Sequence, residues 1–302
     1  MQNGCSHDCG QPHLTIVLTW IGTAVSPRFN SDLQAVDEMM RGLLGNGPVA
    51  LAANYHLDGG GSGTRAMLAL DAARALQLDP LAAVSCACAT ELLHNASLVH
   101  DDVQERDDTR RGKLALWRRF DVAAAIGAGD LMISAAFASL AAHPDPASAL
   151  MLMHEAISAT ARGQADDLAA QIASLSDYRA MVAAKTGPLL ALPVRLALCA
   201  ARVPGDGLAS EVGRNIALAY QTMDDLNDLA ADRAAGRVNI CTVLEADGRS
   251  RFEAAMTARA EARAALDIAR IVAGRLPQSV GTAFYNLADR LDSTLTEFSH
   301  AA

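Results

Sequence analysis

Apolar residues recur at three- and four-residue intervals along most of this chain, the period of helices buried on one side. Leu33, Val36, Met39, Met40, Leu43 and Leu44 form one apolar face of a helix beginning near Ser31, where Asn30 or Ser31 can cap it. Gly45-Asn46-Gly47-Pro48 interrupts the chain before a second, short helix. A glycine-rich loop, Gly59-Gly60-Gly61-Ser62-Gly63, then opens the next one. Residues 80–100 read as one long helix, apolar on most sides and therefore buried. Further helices are expected over 121–141, up to about Ser174, from about Asp177, and across 208–229, 250–273 and 280–299. Pro144-Asp145-Pro146 marks a turn, and Pro188 and Pro193 are expected to kink the helix that contains them. No internal repeat, low-complexity tract or linker divides the pattern, which gives an all-α fold in one domain over 28–302 behind an N-terminal extension, 1–27.

Two of these helices end in carboxylates. The first reads Val99-His100-Asp101-Asp102-Val103-Gln104-Glu105, and the second Tyr220-Gln221-Thr222-Met223-Asp224-Asp225-Leu226-Asn227-Asp228. In each, acids fall at i, i+1 and i+4, so Asp101 shares a face with Glu105, and Asp224 with Asp228. Like charges so close repel unless something positive lies between them. An all-oxygen donor set suits a hard cation such as Mg²⁺. Arg110 and Arg111 follow the first cluster and offer forked donors matched to phosphate oxygens. One acidic helix face is ordinarily a solvated face; two with the same spacing point to helices that clamp a metal-bound diphosphate.

Composition sharpens this picture. Half of the 302 residues are hydrophobic, alanine is abundant and aromatics are few, which suits close-packed helices. The net charge of −9 argues against a nucleic-acid partner. Lys113 and Lys185 are the only lysines. Lys185 lies in an otherwise apolar helix and needs an anionic partner, which a substrate diphosphate would supply. The six cysteines form no disulfide framework, and a reduced, cytoplasmic setting is expected. In the extension, Cys5, His7, Cys9 and His13 match no common zinc spacing. The run Leu14–Val25 is too short to span a membrane and lacks a preceding basic residue, so neither a transmembrane segment nor a secretory signal is expected.

The motifs together carry a family resemblance. His94 with Ser97-Leu98-Val99-His100-Asp101-Asp102, then Asp108-Thr109-Arg110-Arg111-Gly112-Lys113, resembles the first aspartate-rich region of the trans-isoprenyl diphosphate synthases, or polyprenyl synthetases. Gly129-Asp130-Leu131, Gly163-Gln164 with Asp167-Leu168, and Lys185-Thr186-Gly187 are similar to the middle of that family. Gln221 with Asp224, Asp225 and Asp228 resembles its second aspartate-rich motif. The resemblance runs in order from about Gly59 to Cys241; beyond that only the helical pattern matches.

It implies a helical bundle around a central cavity, a homodimer and several Mg²⁺ ions. It implies metal ligation by Asp101, Asp102, Glu105, Asp224, Asp225 and Asp228, and catalytic roles for Asp101, Asp102, Lys185 and Asp224. Substrate diphosphates would be held by Arg65, His94, Arg110, Arg111, Lys185, Thr186 and Gln221. Bulky residues before the first motif floor the chain-elongation cavity in the family; here Ala96 and Ser97 are small, although small residues also permit close helix packing.

Three departures bear on function. The family element Gly-Gly-Lys-Arg-x-Arg, which holds isopentenyl diphosphate, appears here with Ser62 and Gly63 in place of its Lys and first Arg, leaving Arg65. Glu105 stands where the family usually has Asp. The segment after Asp228 is shortened across a family lysine that helps hold the allylic diphosphate, with Arg233 and Arg237 as candidate replacements. The expected chemistry is ionisation of an allylic prenyl diphosphate to a cation in a dry cavity. Isopentenyl diphosphate captures the cation in a chain-elongating prenyltransferase. In a terpene cyclase the cation meets its own chain, and in a variant of that reading a non-standard acceptor takes it. A non-catalytic regulatory subunit is the third reading.

Overall fold

The computed structural model describes residues 27–169 and 172–300. The cysteine–histidine group and the apolar run of the N-terminal extension lie outside the described residues. Thirteen α-helices make up almost all of the described chain: α1 (Pro27–Leu44), α2 (Pro48–Leu57), α3 (Thr64–Ala75), α4 (Pro80–Glu105), α5 (Leu116–Arg119), α6 (Val122–Ser139), α7 (Pro146–Leu168), α8 (Leu175–Lys185), α9 (Gly187–Ala201), α10 (Asp206–Ala235), α11 (Ile240–Ala246), α12 (Arg251–Ala273) and α13 (Thr282–His300). Two-residue strands β1 (Thr109–Arg110) and β2 (Lys113–Leu114) pair antiparallel between α4 and α5.

Local chemistry sets many of the boundaries. Asp79 and Asp145 cap α4 and α7, each with a proline in the first turn, where no backbone donor is needed. Ser250 and Glu253 form a reciprocal capping box on α12. The long helix predicted over 80–100 continues to Glu105 and stops at Arg106, which takes a left-handed conformation (φ 58°). Arg111 and Gly112 both have positive φ and form the two-residue turn between β1 and β2, as a hairpin turn of this length requires. That hairpin folds Arg110 and Arg111 back beside α4.

Two differences from the sequence pattern matter for the site. The helix expected to reach Ser174 ends at Leu168. The helix expected to run on through Pro188 breaks at Thr186 into α8 and α9, which meet at 44°. Pro188 falls in the first turn of α9, so it starts a helix there instead of kinking one.

Helix α9 is the wall between two hydrophobic cores. Leu190, Val194, Ala197 and Leu198 pack into one core, with residues of α3, α8 and α10–α13. Leu189, Leu192 and Leu196 pack into the other, with α1–α4, α6 and α7. Each fully buried leucine contributes about 1.5–3 kcal/mol relative to an exposed one. Because α4 and α10 both pack on α9, through different cores, their acidic ends are held at fixed positions. Helix α6 with the turn after it, Val122–Ala142, has the length and composition of a membrane span; here it packs against α4, α1 and α2.

Two glycines bring helices within backbone contact. A Cβ on Gly213 of α10 would lie 2.7 Å from Ala191 Cβ and 2.9 Å from Gly187 O of α9. A Cβ on Gly163 of α7 would collide with the backbone nitrogen of Lys185. That approach sets the distance between α7 and the end of α8. An alanine in a helix interior normally gains up to about 1 kcal/mol over glycine. At Gly163 the sign should reverse: Gly163→Ala is expected to destabilise the fold by about 1–3 kcal/mol through overpacking, read as a lower urea midpoint in far-ultraviolet circular dichroism.

Candidate active site

The first acidic cluster closes α4. Asp101 and Glu105 are half-buried, whereas Asp102, one residue round the helix, is fully buried. Arg110, delivered by the hairpin, donates from Nε to Asp102 Oδ1 at 2.8 Å and from Nη2 to the same oxygen. Asp102 Oδ2 is left buried with no partner. Burial pushes the Asp101 carboxyl up to about 7, with Lys185 opposing and Glu105 reinforcing the shift.

Lys185, at the end of α8, finds its anions within the protein. Its ammonium donates to Asp167 Oδ2 of α7 at 2.5 Å and to Glu105 Oε1 at 3.2 Å. Gln164 Nε2 donates to the same Glu105 oxygen at 3.0 Å. Burial alone would lower the lysine pKa, but the carboxylates of Asp167 and Glu105 outweigh it and hold the group above its ordinary value. Glu105 is held below its usual range: burial acts upward, and Lys185 and Gln164 overcome it. The close approach at Gly163 makes this triad possible, since it brings Gln164 and Asp167 alongside the lysine backbone. Thr186 stands at the bend that follows.

The second cluster lies on α10. Asp225 is buried, and three donors satisfy it: Tyr178 Oη at 2.8 Å, Gln221 Nε2 at 2.9 Å and the Ile240 backbone N–H at 2.7 Å. Gln221, expected on the substrate, is bonded to this carboxylate. Asn239 bridges the Asp225 carbonyl, at 2.7 Å, to Asp232 Oδ2, at 2.8 Å. Asp228 is exposed and Asp224 is half-buried. Burial drives the Asp224 carboxyl to about 8, and the charges acting on it, Asp225, Asp228 and Asp232, are all negative. Tyr220, beside Asp224, also feels the fields of Arg65, Arg110 and Arg111, so the α10 acids and the arginines share one space.

The arginine side of that space involves α2, α3 and α4. Arg65 Nη1 lies 3.1 Å from His94 Nε2, and Arg65 Nε is buried without a partner. Arg111 donates to the carbonyl of Gly60, and its guanidinium covers Gly61 so closely that no Cβ would fit there. Arg111 also reaches Asn95 Oδ1 at 3.4 Å, which His56 Nε2 approaches at 3.2 Å. Glu91 Oε2 accepts the Ala66 N–H at the start of α3, where Gly63 has no side chain to act as cap. The glycine-rich loop therefore offers a carbonyl to Arg111, while a buried carboxylate takes a donor of the helix it opens. Burial, reinforced by nearby arginines, pushes His56 down to about 4 and His94 well below its ordinary value. Both rings are neutral at pH 7, which leaves Arg65 and Arg111 as the cations of this side.

The sequence pattern of the polyprenyl synthetase family matches residues 48–246. The chain belongs to the polyprenyl synthetase family. It is 36% identical over 173 residues to the (2E,6E)-farnesyl diphosphate synthase of Mycobacterium tuberculosis, covering 55% of this chain and 48% of that protein. It is 29% identical over 222 residues to the octaprenyl diphosphate synthase of Escherichia coli, covering 70% of this chain and 63% of that protein. The chain thus spans about half to two thirds of the length of these relatives. Among solved structures, the geranylgeranyl pyrophosphate synthetase of the archaeon Geoglobus acetivorans superposes with a TM-score of 0.79 at 24% identity, over 87% of this chain and 98% of that one. That likeness shows the all-α isoprenoid synthase fold.

Set against this family, the expected site residues fall into two groups. Asp101, Glu105 and Lys185 stand at the ends of α4 and α8, with Arg110 beside them on Asp102; Asp224 and Asp228 lie inside α10, which runs on past the expected end at 229 to Ala235; and Arg65, His94 and Arg111 form the arginine side. Asp102, Asp225 and Gln221 are bonded to other groups of the same chain. Ala96 is buried in the α4 core, and the Ser97 hydroxyl returns to the His94 carbonyl at 2.8 Å. The sequence reading gave no role to Asp167, Tyr178, Glu91, Asn95, His56 or Asn239. Asp167 was within reach, because it lies three residues after Gln164 and so shares its helix face. The others depend on contacts between distant elements.

The donors fit a hard divalent cation. They are all oxygen, Asp102 Oδ2 lacks a partner, and Asp224 is surrounded by negative charge. Among the described residues no three acidic, histidine or cysteine side chains are grouped closely enough to hold a metal ion by themselves.

The raised carboxyl pKa values imply a pH dependence. Asp101 and Asp224 bind protons in the fold up to about 7 and about 8, whereas the unfolded chain releases them near 3.8. The folded state therefore loses stability as pH rises through those values. The two neutral histidines act oppositely, but only below about 6.5. Chelator-treated protein should unfold at lower urea at about pH 8.5 than at about pH 6.5, and Asp224→Asn should shrink that difference.

Proposed function

We propose that this protein is a Mg²⁺-dependent prenyltransferase that ionises an allylic prenyl diphosphate and condenses it with isopentenyl diphosphate to give a longer prenyl diphosphate. The observation carrying this reading is the meeting, around one space, of two acidic helix ends, Lys185 and an arginine cluster on the far side. Asp101, Glu105, Asp224 and Asp228 would hold the metal, with the unpartnered oxygen of Asp102 beside them. Magnesium, when bound, supplies charge neutralisation for these acids and for the diphosphate.

The chain's own groups do the rest. Asp102 and Asp225 orient their neighbours through Arg110 and through Tyr178, Gln221 and the Ile240 N–H. Lys185 and Arg110 stand ready to donate to diphosphate oxygens as negative charge builds on them. In the reaction the allylic C–O bond breaks and its electron pair leaves with the diphosphate. The π electrons of isopentenyl diphosphate then form the new C–C bond, and the resulting cation loses a proton. Arg65 and Arg111 would hold the acceptor diphosphate. Water would have to be excluded while the cation lives, and the apolar residues of α3, α4 and α9 would serve that end.

A second reading rests on the acceptor side. Ser62 carries no charge and bonds Thr64 Oγ1 at 2.7 Å, Gly63 has no side chain, and both nearby histidines are neutral. Two arginines are few for a diphosphate, and an enzyme that cyclises its substrate, or that uses a less charged acceptor, needs no more.

Product analysis separates the readings. Protein with Mg²⁺ is given geranyl, farnesyl or geranylgeranyl diphosphate, each with and without isopentenyl diphosphate. A longer diphosphate formed only with isopentenyl diphosphate is the expected result. A hydrocarbon or alcohol formed without it would establish the cyclase, and inactivity throughout would point to a non-catalytic subunit. Asp101→Ala and Asp224→Ala should each reduce turnover about 10²–10³-fold; near-normal turnover in either would sink the proposal.

A further inference from the structure

The arginine side carries a carboxylate that works against anion binding. Glu91 on α4 is only 7% exposed, and its charge opposes any anion that Arg65 and Arg111 would hold. Its hydrogen bonds account for its place. Oε2 accepts the Ala66 N–H at 3.1 Å, and Oε1 faces Asn95 Nδ2 at 3.4 Å. Ala66 directly follows Arg65 in the first turn of α3, whose N-cap, Gly63, brings no side chain. Asn95 lies one turn after Glu91 on the same face of α4. Its Nδ2 also donates to the Glu91 carbonyl at 2.8 Å. That fixes the amide, so its Oδ1 is left to meet Arg111 Nη1 at 3.4 Å and His56 Nε2 at 3.2 Å.

We propose that Glu91 is the positioning residue of the acceptor side: from one buried carboxylate it sets Arg65, through the first turn of α3, and Arg111, through Asn95. The inference rests on the reading of Arg65 and Arg111 as the cations that meet the acceptor. Three features support it. Glu91, Asn95 and His56 are all buried, so water does not stand in for a lost partner and the network is held as a unit. Packing does not hold Arg111 on every side. A cavity of about 180 Å³ between α1 and the glycine loop borders Glu91, Asn95 and Arg111, and the guanidinium is directed by the oxygens of Asn95 and Gly60. Charge acts the same way. Burial and the fields of Arg110 and Arg65 disfavour the charged form of Arg111, and Glu91 opposes them; burial lowers Arg65, and Tyr220 and Glu91 oppose it. One carboxylate thus lets two guanidiniums from different elements stand near enough to share an anion. It weakens the field an anion meets and, in return, fixes the spacing of the two forked donors.

Steady-state kinetics of the full chain with Mg²⁺, varying each substrate at saturation of the other, tests the assignment. Glu91→Ala should raise the KM for isopentenyl diphosphate about tenfold, with kcat and the KM for the allylic diphosphate within about twofold. Glu91→Gln keeps one acceptor and loses the charge, so the rise should be only about threefold. Asn95→Leu should act in the same direction, and the double variant with Glu91→Ala should fall short of the product of the two, since both work through one network. Calorimetry with inorganic pyrophosphate in the presence of a chelator reads the arginine side without turnover, and binding should weaken in the same order. An unchanged KM for isopentenyl diphosphate in the Glu91 variants, or equal rises in both KM values, would overturn the proposal. A wild-type chain that neither uses isopentenyl diphosphate nor binds metal-free pyrophosphate would overturn the acceptor-side reading itself. Melting temperatures show which variants are folded, and Glu91→Gln, the milder change, decides where Glu91→Ala is not.

Discussion

Mutual repulsion among carboxylates is the constraint around which this structure is arranged. Asp101, Glu105, Asp167, Asp224, Asp228 and Asp232 come from three helices and gather at neighbouring helix ends. Lys185 is the cation that makes the α4–α7 part of this tolerable, since one ammonium joins Asp167 to Glu105. Nothing comparable serves Asp224; burial, reinforced by Asp225, Asp228 and Asp232, drives its carboxyl up to about 8. The acidic ends are thus unequally compensated. The α4 side is part-neutralised by a fixed lysine, while the α10 side awaits a cation. On the proposed function, a metal would meet its strongest unbalanced field at α10.

Helix geometry explains how each adjacent aspartate pair divides its work. Neighbouring residues project about 100° apart, so two consecutive acids cannot share one face. In α4 the second acid, Asp102, turns inward to Arg110; in α10 the second, Asp225, turns inward to Tyr178, Gln221 and the start of α11. The first acid of each pair, and the one four residues on, are left on the outer face. The inner acid is thus a structural anchor that sets the rotation of its helix, and so the direction in which the outer pair points. This holds at both ends, by different partners, because it follows from the i, i+1, i+4 spacing itself.

That spacing is also why so much was legible in advance. Helical period, acidic clusters, the double arginine and the lone lysine are local patterns, and the fold class and the broad placement of the site follow from them. What could not be read depends on distant contacts. The lysine was expected to wait for a substrate anion, yet Asp167 occupies it, because Gly163 lets α7 approach the Lys185 backbone. The break at Thr186 was expected as a kink at proline; tertiary packing shifted it two residues and left Pro188 to start a helix. The glycine loop is recognisable in the sequence, but not that Arg111 lies on its carbonyl or that Glu91 takes a donor at the helix start. Each miss involves a partner more than fifteen residues away or a backbone contact with no side-chain signature.

The charge layout bears on how two substrates with the same head group would be told apart. A diphosphate is chemically alike on an allylic and an isopentenyl chain, so recognition of the group itself cannot sort them. The two sides of the site differ in what they demand of it. On the proposed function the acidic side would accept a diphosphate only together with cations. The arginine side attracts a bare diphosphate through Arg65 and Arg111 and offers one buried carboxylate, Glu91, already bonded to the Ala66 N–H. Because burial and the arginines keep His56 and His94 neutral, that positive charge stays constant across the physiological pH range. Metal loading would then decide which side a diphosphate enters. In the proposed reaction, Ser62 and Gly63 bring no charge to the arginine half of that sorting, which would rest on Arg65 and Arg111.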